Sequence, residues 1–127
     1  MQKKIADLHS LQDKVALITG ASDGLGYDMA CALAEAGCHI IITSRSNSNK
    51  LKASTEAITK KYKVNTLGVT MNQNYYDQVK TAIKEAHQWK GKIDILINNA
   101  GGGSGGSEGN LFKRNPEDIA NLIATNL

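Results

Sequence analysis

Thr19-Gly20-Ala21-Ser22-Asp23-Gly24-Leu25-Gly26 follows directly on the uncharged run Val15-Ala16-Leu17-Ile18. A short, wholly apolar run of this kind fits a strand covered on both faces, as in a parallel sheet. The glycines after it require a turn, and a helical pattern begins at Gly24. Strand, glycine-rich turn and helix, in that order, aim backbone N–H groups at the space where a phosphate binds. Each glycine then has its own task. Gly20 permits the sharp turn, Gly24 lets the backbone approach a pyrophosphate, and Gly26 lets the helix pack close to the strand. The helix N-terminus adds about half a positive charge on the phosphate side.

Working outward, residues 1–13 form a polar lead-in. The first helix runs from Gly24 to Ala36, with Met29, Ala30, Leu33 and Ala34 on its apolar face and Gly37 where a C-terminal cap belongs. Ile40-Ile41-Ile42-Thr43 is a second strand, and Ser44–Asn49 a polar loop. A helix follows from Lys50 to Tyr62, with Leu51, Ile58 and Tyr62 on one side. Thr66–Thr70 is a third strand, weakened by Gly68. Tyr75–Trp89 is a long helix in which Tyr76, Val79, Ile83 and Ala86 repeat at helical spacing, and Gly91 ends it. Ile93–Ile97 is the fourth strand, with Asp94 at its start. Asn115-Pro116-Glu117-Asp118 reads as cap, first helical residue and acidic first turn of a last helix. Ile119, Leu122 and Ile123 are its buried stripe. Six of the 12 glycines fall within 101–109, an expected mobile loop that could serve as a substrate lid.

Strands alternating with helices imply an α/β protein, a Rossmann-type doubly wound parallel sheet with the strand order 3-2-1-4. The whole chain, 1–127, reads as one dinucleotide-binding domain. The full doubly wound order uses six strands, and this sequence supplies four. The chain is therefore expected to be the N-terminal portion of a longer protein.

Composition narrows the function. A charge of +3, from 15 basic and 12 acidic residues scattered along the chain, gives no nucleic-acid stripe. Lys60, Lys61 and Lys63 read as a solvated helix end. The N-terminus lacks the apolar run of a signal peptide, and no stretch reaches membrane-spanning length. The expectation is a cytoplasmic protein with neither nucleic acid nor membrane as partner. Cys31 and Cys38 read as buried, reduced thiols, and no Cys or His pair has metal-site spacing, so no metal is expected.

An acid near the end of the second strand would bind the ribose hydroxyls of NAD. Thr43-Ser44-Arg45 stands there instead, and the planar fork of Arg45 suits a 2′-phosphate. This favours NADP(H), with NAD(H) possible. Asp23 acts against that preference, because a carboxylate in the turn repels a phosphate.

The pair Thr19-Gly20-x-x-x-Gly24-x-Gly26 and Asn98-Asn99-Ala100-Gly101 resembles the short-chain dehydrogenases/reductases, classical type. The resemblance runs from Leu11 to Leu127. It implies that Gly20, Ser22, Asp23, Gly24, Leu25 and Gly26 line the pyrophosphate and adenosine side, and that Arg45 meets the 2′-phosphate. It implies that Asn72, followed by Gln73, takes the place of the family's adenine-binding aspartate. Asn98 would brace the sheet, while Asn99, Ala100 and Gly101 pass under the ribose. Asn126 would be the asparagine that holds a water in the proton relay.

The resemblance also implies hydride transfer between nicotinamide and a small-molecule carbonyl or alcohol substrate. Without a fifth strand, Ile95 and Ile97 border an unpaired edge that invites association, so a homo-oligomer is expected. The family's serine and Tyr-x-x-x-Lys pair follow a fifth strand and are missing here. Tyr76-Asp77-Gln78-Val79-Lys80 has the right spacing but precedes the fourth strand, and Tyr76 reads as part of the apolar stripe instead. The alternative reading is a non-catalytic dinucleotide-binding or regulatory module.

Overall fold

A computed structural model describes residues 5–101 and 115–126. The expected lid at 101–109 lies, apart from Gly101, outside the described residues. The elements in chain order are α1 (Ile5–Leu8), β1 (Val15–Ile18), α2 (Gly24–Glu35), β2 (His39–Ser44), α3 (Asn49–Tyr62), β3 (Thr66–Thr70), α4 (Tyr76–Lys90), β4 (Ile95–Ile97) and α5 (Pro116–Asn126). The strands form one sheet in the order β3-β2-β1-β4, the order expected, and each pairing is parallel. The polar lead-in differs from its reading only in holding the single turn α1.

Period-2 alternation along β1 divides the core into two layers. Ala16 and Ile18 pack with Ala30 and Ala34 of α2 and Leu51 and Ile58 of α3. Val15 and Leu17 point the other way, into a cluster with Ala82 and Ala86 of α4. On α2 the fully buried positions are Gly26, Ala30 and Ala34, one every four residues, and these small side chains let the helix lie close to the sheet. Gly37 has φ +100, as its place after α2 requires. Cys38 is buried and Cys31 half-buried, both as free thiols.

The apolar stripe of α4 is not the one expected. Tyr76 is 78% exposed and Ile83 38%, while Ala82 and Ala86 are buried and Val79 and Trp89 pack beside them. Both sets of positions have helical spacing. The alanines decide the outcome, because a helix face of small residues approaches the sheet more closely than one carrying a tyrosine.

The fourth strand begins two residues later than expected, at Ile95. Asp94 acts as a staple there: its carboxylate accepts the Val15 N–H at 2.9 Å, and its own N–H donates to the Val15 carbonyl at 2.8 Å. The Val15 N–H, and after it the Lys92 ammonium, hold the Asp94 carboxyl below the usual carboxylate range. A carboxyl whose folded value lies below its unfolded one stabilises the fold fully above the unfolded value, about 4, and loses that contribution as pH falls through the folded value. Asp94→Asn is therefore expected to destabilise the chain at neutral pH and to differ less from the parent in acid. Urea midpoints at about pH 7 and about pH 3 measure this, and an unchanged difference refutes the staple.

Candidate functional site

In a doubly wound sheet the crevice opens beyond the carboxyl ends of the strands, where the strand order reverses. Here that point lies between β1 and β4. A cleft of about 350 Å³ occupies it, lined by the turn after β1, the end of β2, the segment after β3, the segment after β4 and one face of α5. Seven of the residues singled out from sequence line it: Gly20, Ser22, Asp23, Arg45, Gln73, Ala100 and Gly101. Thr43, Ser44, Ser46 and Met71 join them, with Asn121 and Leu122 from α5.

The turn is held from both sides. On the β4 side, the Thr19 hydroxyl accepts the N–H groups of Asn99 at 3.1 Å and Ala100 at 2.9 Å. The Asn99 carboxamide donates to the carbonyls of Thr19 at 3.1 Å and Gly20 at 3.2 Å. On the β2 side, the Thr43 hydroxyl accepts the Gly20 N–H at 3.2 Å, and the Thr43 carbonyl accepts the Ala21 N–H at 3.1 Å. The bracing expected of Asn98 thus belongs to Asn99. Asn98 is exposed.

The glycines fit these constraints. Gly20 has φ +62, and a β-carbon there would lie 2.9 Å from the Ala100 Cα. A β-carbon on Gly26 would lie 2.4 Å from the Asn99 carboxamide nitrogen. Gly24, at φ +57, faces open space, with nothing within 4 Å. Gly24 and Gly26 shape the turn without lining the cleft. Leu25 is 70% exposed at the start of α2 and also lies off the cleft walls.

Asn72 is turned toward its own segment. Its side-chain oxygen accepts the Asn74 N–H at 3.0 Å, and its N–H donates to the Gln78 side chain at 3.1 Å. It does not line the cleft; Gln73 does, with its carboxamide donating to the Ala100 carbonyl at 3.4 Å. The expected cap of α5 is present, the Asn115 side chain accepting the Asp118 N–H at 2.8 Å. Asn126, in the last turn of α5, donates to the Leu122 carbonyl at 2.8 Å. Its side-chain oxygen would lie 2.6 Å from a β-carbon on Gly101, so it sits beside the cleft. Tyr76 and Lys80 do not line the cleft.

The charges are arranged less simply than the sequence suggested. Arg45 stands exposed at the end of β2, with no acid beside it in the sequence. The Asp23 carboxylate is bonded to the Lys50 ammonium of α3. Ser54 is buried, and its hydroxyl lies 2.7 Å from the Ser22 carbonyl and 2.8 Å from the Lys50 carbonyl, tying α3 to the turn. No role for Lys50, Ser54 or the hydroxyl of Thr43 followed from the sequence. Only the hydroxyl at a strand's carboxyl end, at Thr43, was a usable signal; the other two depend on how α3 packs. Among the described residues no three His, Cys, Asp or Glu side chains group as metal ligands. None of the described helices is long and apolar enough to cross a membrane.

Comparison with known proteins gives consistent results. A family model described as short chain dehydrogenase matches residues 14–127. A 3-oxoacyl-acyl-carrier-protein reductase of Aquifex aeolicus is 43% identical over 72% of this chain and 36% of its own length. A short-chain type dehydrogenase/reductase from Mycobacterium marinum superposes with a TM-score of 0.86 at 30% identity, covering 98% of this chain and 49% of that one. An NADPH-dependent 3-quinuclidinone reductase from Rhodotorula rubra gives 0.82 at 30% identity, covering 100% and 47%. The chain therefore matches less than half the length of each of these relatives.

Proposed function

The chain belongs to the short-chain dehydrogenase family, and from that premise we propose that its 127 residues are the dinucleotide-holding domain of an oxidoreductase that prefers NADP(H) to NAD(H). The observation that carries this reading is the composition of the cleft: Arg45 follows the second strand where an acid would favour NAD(H), and it shares the cleft with the turn that begins at Gly20 and with Asp23, whose carboxylate is bonded to Lys50. The residues fit such a group. Gly24 leaves open space over the turn, and a phosphate held there would meet the N–H groups and partial positive charge that a helix N-terminus offers. Bound there, the nicotinamide would exchange a hydride with a carbonyl or alcohol carbon of a small substrate.

This chain's own part is to hold and orient. Ser22 and the turn N–H groups would take the pyrophosphate, and Arg45 the 2′-phosphate. Gln73 would sit at the adenine end, with Asn72 supporting its segment. Ala100 and Gly101 would pass under the ribose, on the platform that Asn99 ties to Thr19. Asn126 would order a water beside Gly101. The sequence's one Tyr-x-x-x-Lys, at Tyr76 and Lys80, is not assigned to proton transfer, so that step would fall to residues outside these 127. A homo-oligomer is proposed as well, supported by the exposed apolar side chains of Leu96, 56%, and Ile123, 53%.

Titration of the chain with NADPH and NADH, read by nucleotide fluorescence, tests the proposal. NADPH is expected to bind at least about tenfold more tightly, a difference of about 1.4 kcal/mol. Binding of neither nucleotide would overturn the cofactor reading. Tighter binding of NADH would overturn the preference.

A further inference from the structure

Asp23 and Arg45 are the charged residues among those described as lining the cleft. Unmasked, the carboxylate of Asp23 would oppose a 2′-phosphate and largely cancel the attraction of Arg45. The structure brings a third charge to the same place: the Lys50 ammonium is bonded to the Asp23 carboxylate. We propose that Lys50 masks Asp23, so that the cleft offers the 2′-phosphate the unopposed charge of Arg45, and that the Asp23–Lys50 pair is thereby a determinant of cofactor preference. This inference rests on the proposed function above.

Three features favour masking over a role in stability. The pair is exposed, 59% on Lys50 and 61% on Asp23, and exposed pairs add little to folding. The geometry does not depend on the ion pair alone. Ser48 caps α3 by accepting the Leu51 N–H at 3.3 Å, and the buried Ser54 hydroxyl bridges the carbonyls of Ser22 and Lys50. The backbone on either side of the pair is thus held together whether or not the charges meet. Finally, Asp23 stands at the N-cap of α2, yet its side chain makes no capping bond. An aspartate there would ordinarily accept a helix N–H, but this one is turned to Lys50 instead.

The test is a double-mutant cycle on the intact chain, with NADPH and NADH dissociation constants measured by titration and melting curves confirming the fold. Lys50→Met exposes the Asp23 charge. It is expected to weaken NADPH about tenfold and to change NADH by less than about twofold, with the effect shrinking at high salt. Adding Asp23→Asn to Lys50→Met removes the unmasked charge and is expected to restore NADPH to within about twofold of the parent. Equal losses for both nucleotides in Lys50→Met would mean a structural role and overturn the proposal. A loss that persists in the double variant would mean that Lys50 contacts the phosphate directly, and would also overturn it. A parent chain that binds neither nucleotide would instead overturn the cofactor reading, and this inference with it.

Discussion

Gly26→Ala is expected to lower the stability of the chain by about 3 kcal/mol and to abolish nucleotide binding. The added β-carbon would lie 2.4 Å from the Asn99 carboxamide nitrogen, 2.9 Å from the Gly20 carbonyl oxygen and 3.0 Å from the Ala21 Cα. Two of these neighbours are backbone atoms of the turn and cannot rotate away. The third is a side chain, but it is not free to swing, because its nitrogen donates to the carbonyls of Thr19 and Gly20. Forcing an extra methyl into such a contact costs roughly 1–3 kcal/mol. Each hydrogen bond that the carboxamide gives up costs about 1 kcal/mol more. The damage is centred on the platform under the cleft, so binding fails before the fold does. Gly91→Ala is the control. Gly91 has φ +75 and open space around its missing β-carbon, so it should lose only about 1 kcal/mol, for the left-handed backbone. Urea midpoints and NADPH titrations of both variants decide the matter. Destabilisation of Gly26→Ala no larger than that of Gly91→Ala would show that the contacts around Gly26 yield to a methyl group, and would refute the close-packing role.

That contrast also marks how far the sequence could be read. The strands at Val15, Ile40 and Thr66 were legible because their runs are local; strand–helix alternation implied a parallel sheet, and the glycine-rich turn after the first strand pointed to the dinucleotide-binding version of it, whose order is β3-β2-β1-β4. The turn from Gly20 to Gly26 was legible because glycine is tied to backbone geometry. What could not be read depended on distance in space. Positions 76, 79, 83 and 86 of α4 are as periodic as 79, 82, 86 and 89; only packing against Val15, Leu17 and Ile41 selects the second set. Asn98 and Asn99 are adjacent and chemically identical, and only the folded chain shows that it is the Asn99 carboxamide that reaches Thr19. Asp23 looked unfavourable to the 2′-phosphate because Lys50 is distant from it in sequence, and α3 has to fold back onto the turn before they meet.

Arg45→Ala should weaken NADPH about 30-fold while leaving NADH within about threefold. The two nucleotides differ by the 2′-phosphate alone, so a residue that meets only that group must discriminate between them. A charge-assisted hydrogen bond contributes about 1.5–3 kcal/mol, and the exposure of Arg45 places it near the lower end. About 2 kcal/mol corresponds to the stated factor. Because the side chain is exposed and stands beyond the buried Thr43, its loss leaves the core intact and melting curves should not move. Arg45→Lys separates charge from shape. A lysine keeps the charge but loses the planar fork, and should recover part of the affinity rather than all of it. The effect should also compound with that of Lys50. With Arg45 gone and Asp23 masked, the cleft is neutral toward the phosphate; with Lys50 removed as well it turns repulsive, and NADH should become the preferred ligand. Equal losses for NADPH and NADH in Arg45→Ala would remove the basis for the NADP(H) preference, leaving the turn from Gly20 to Gly26 as a dinucleotide site without discrimination.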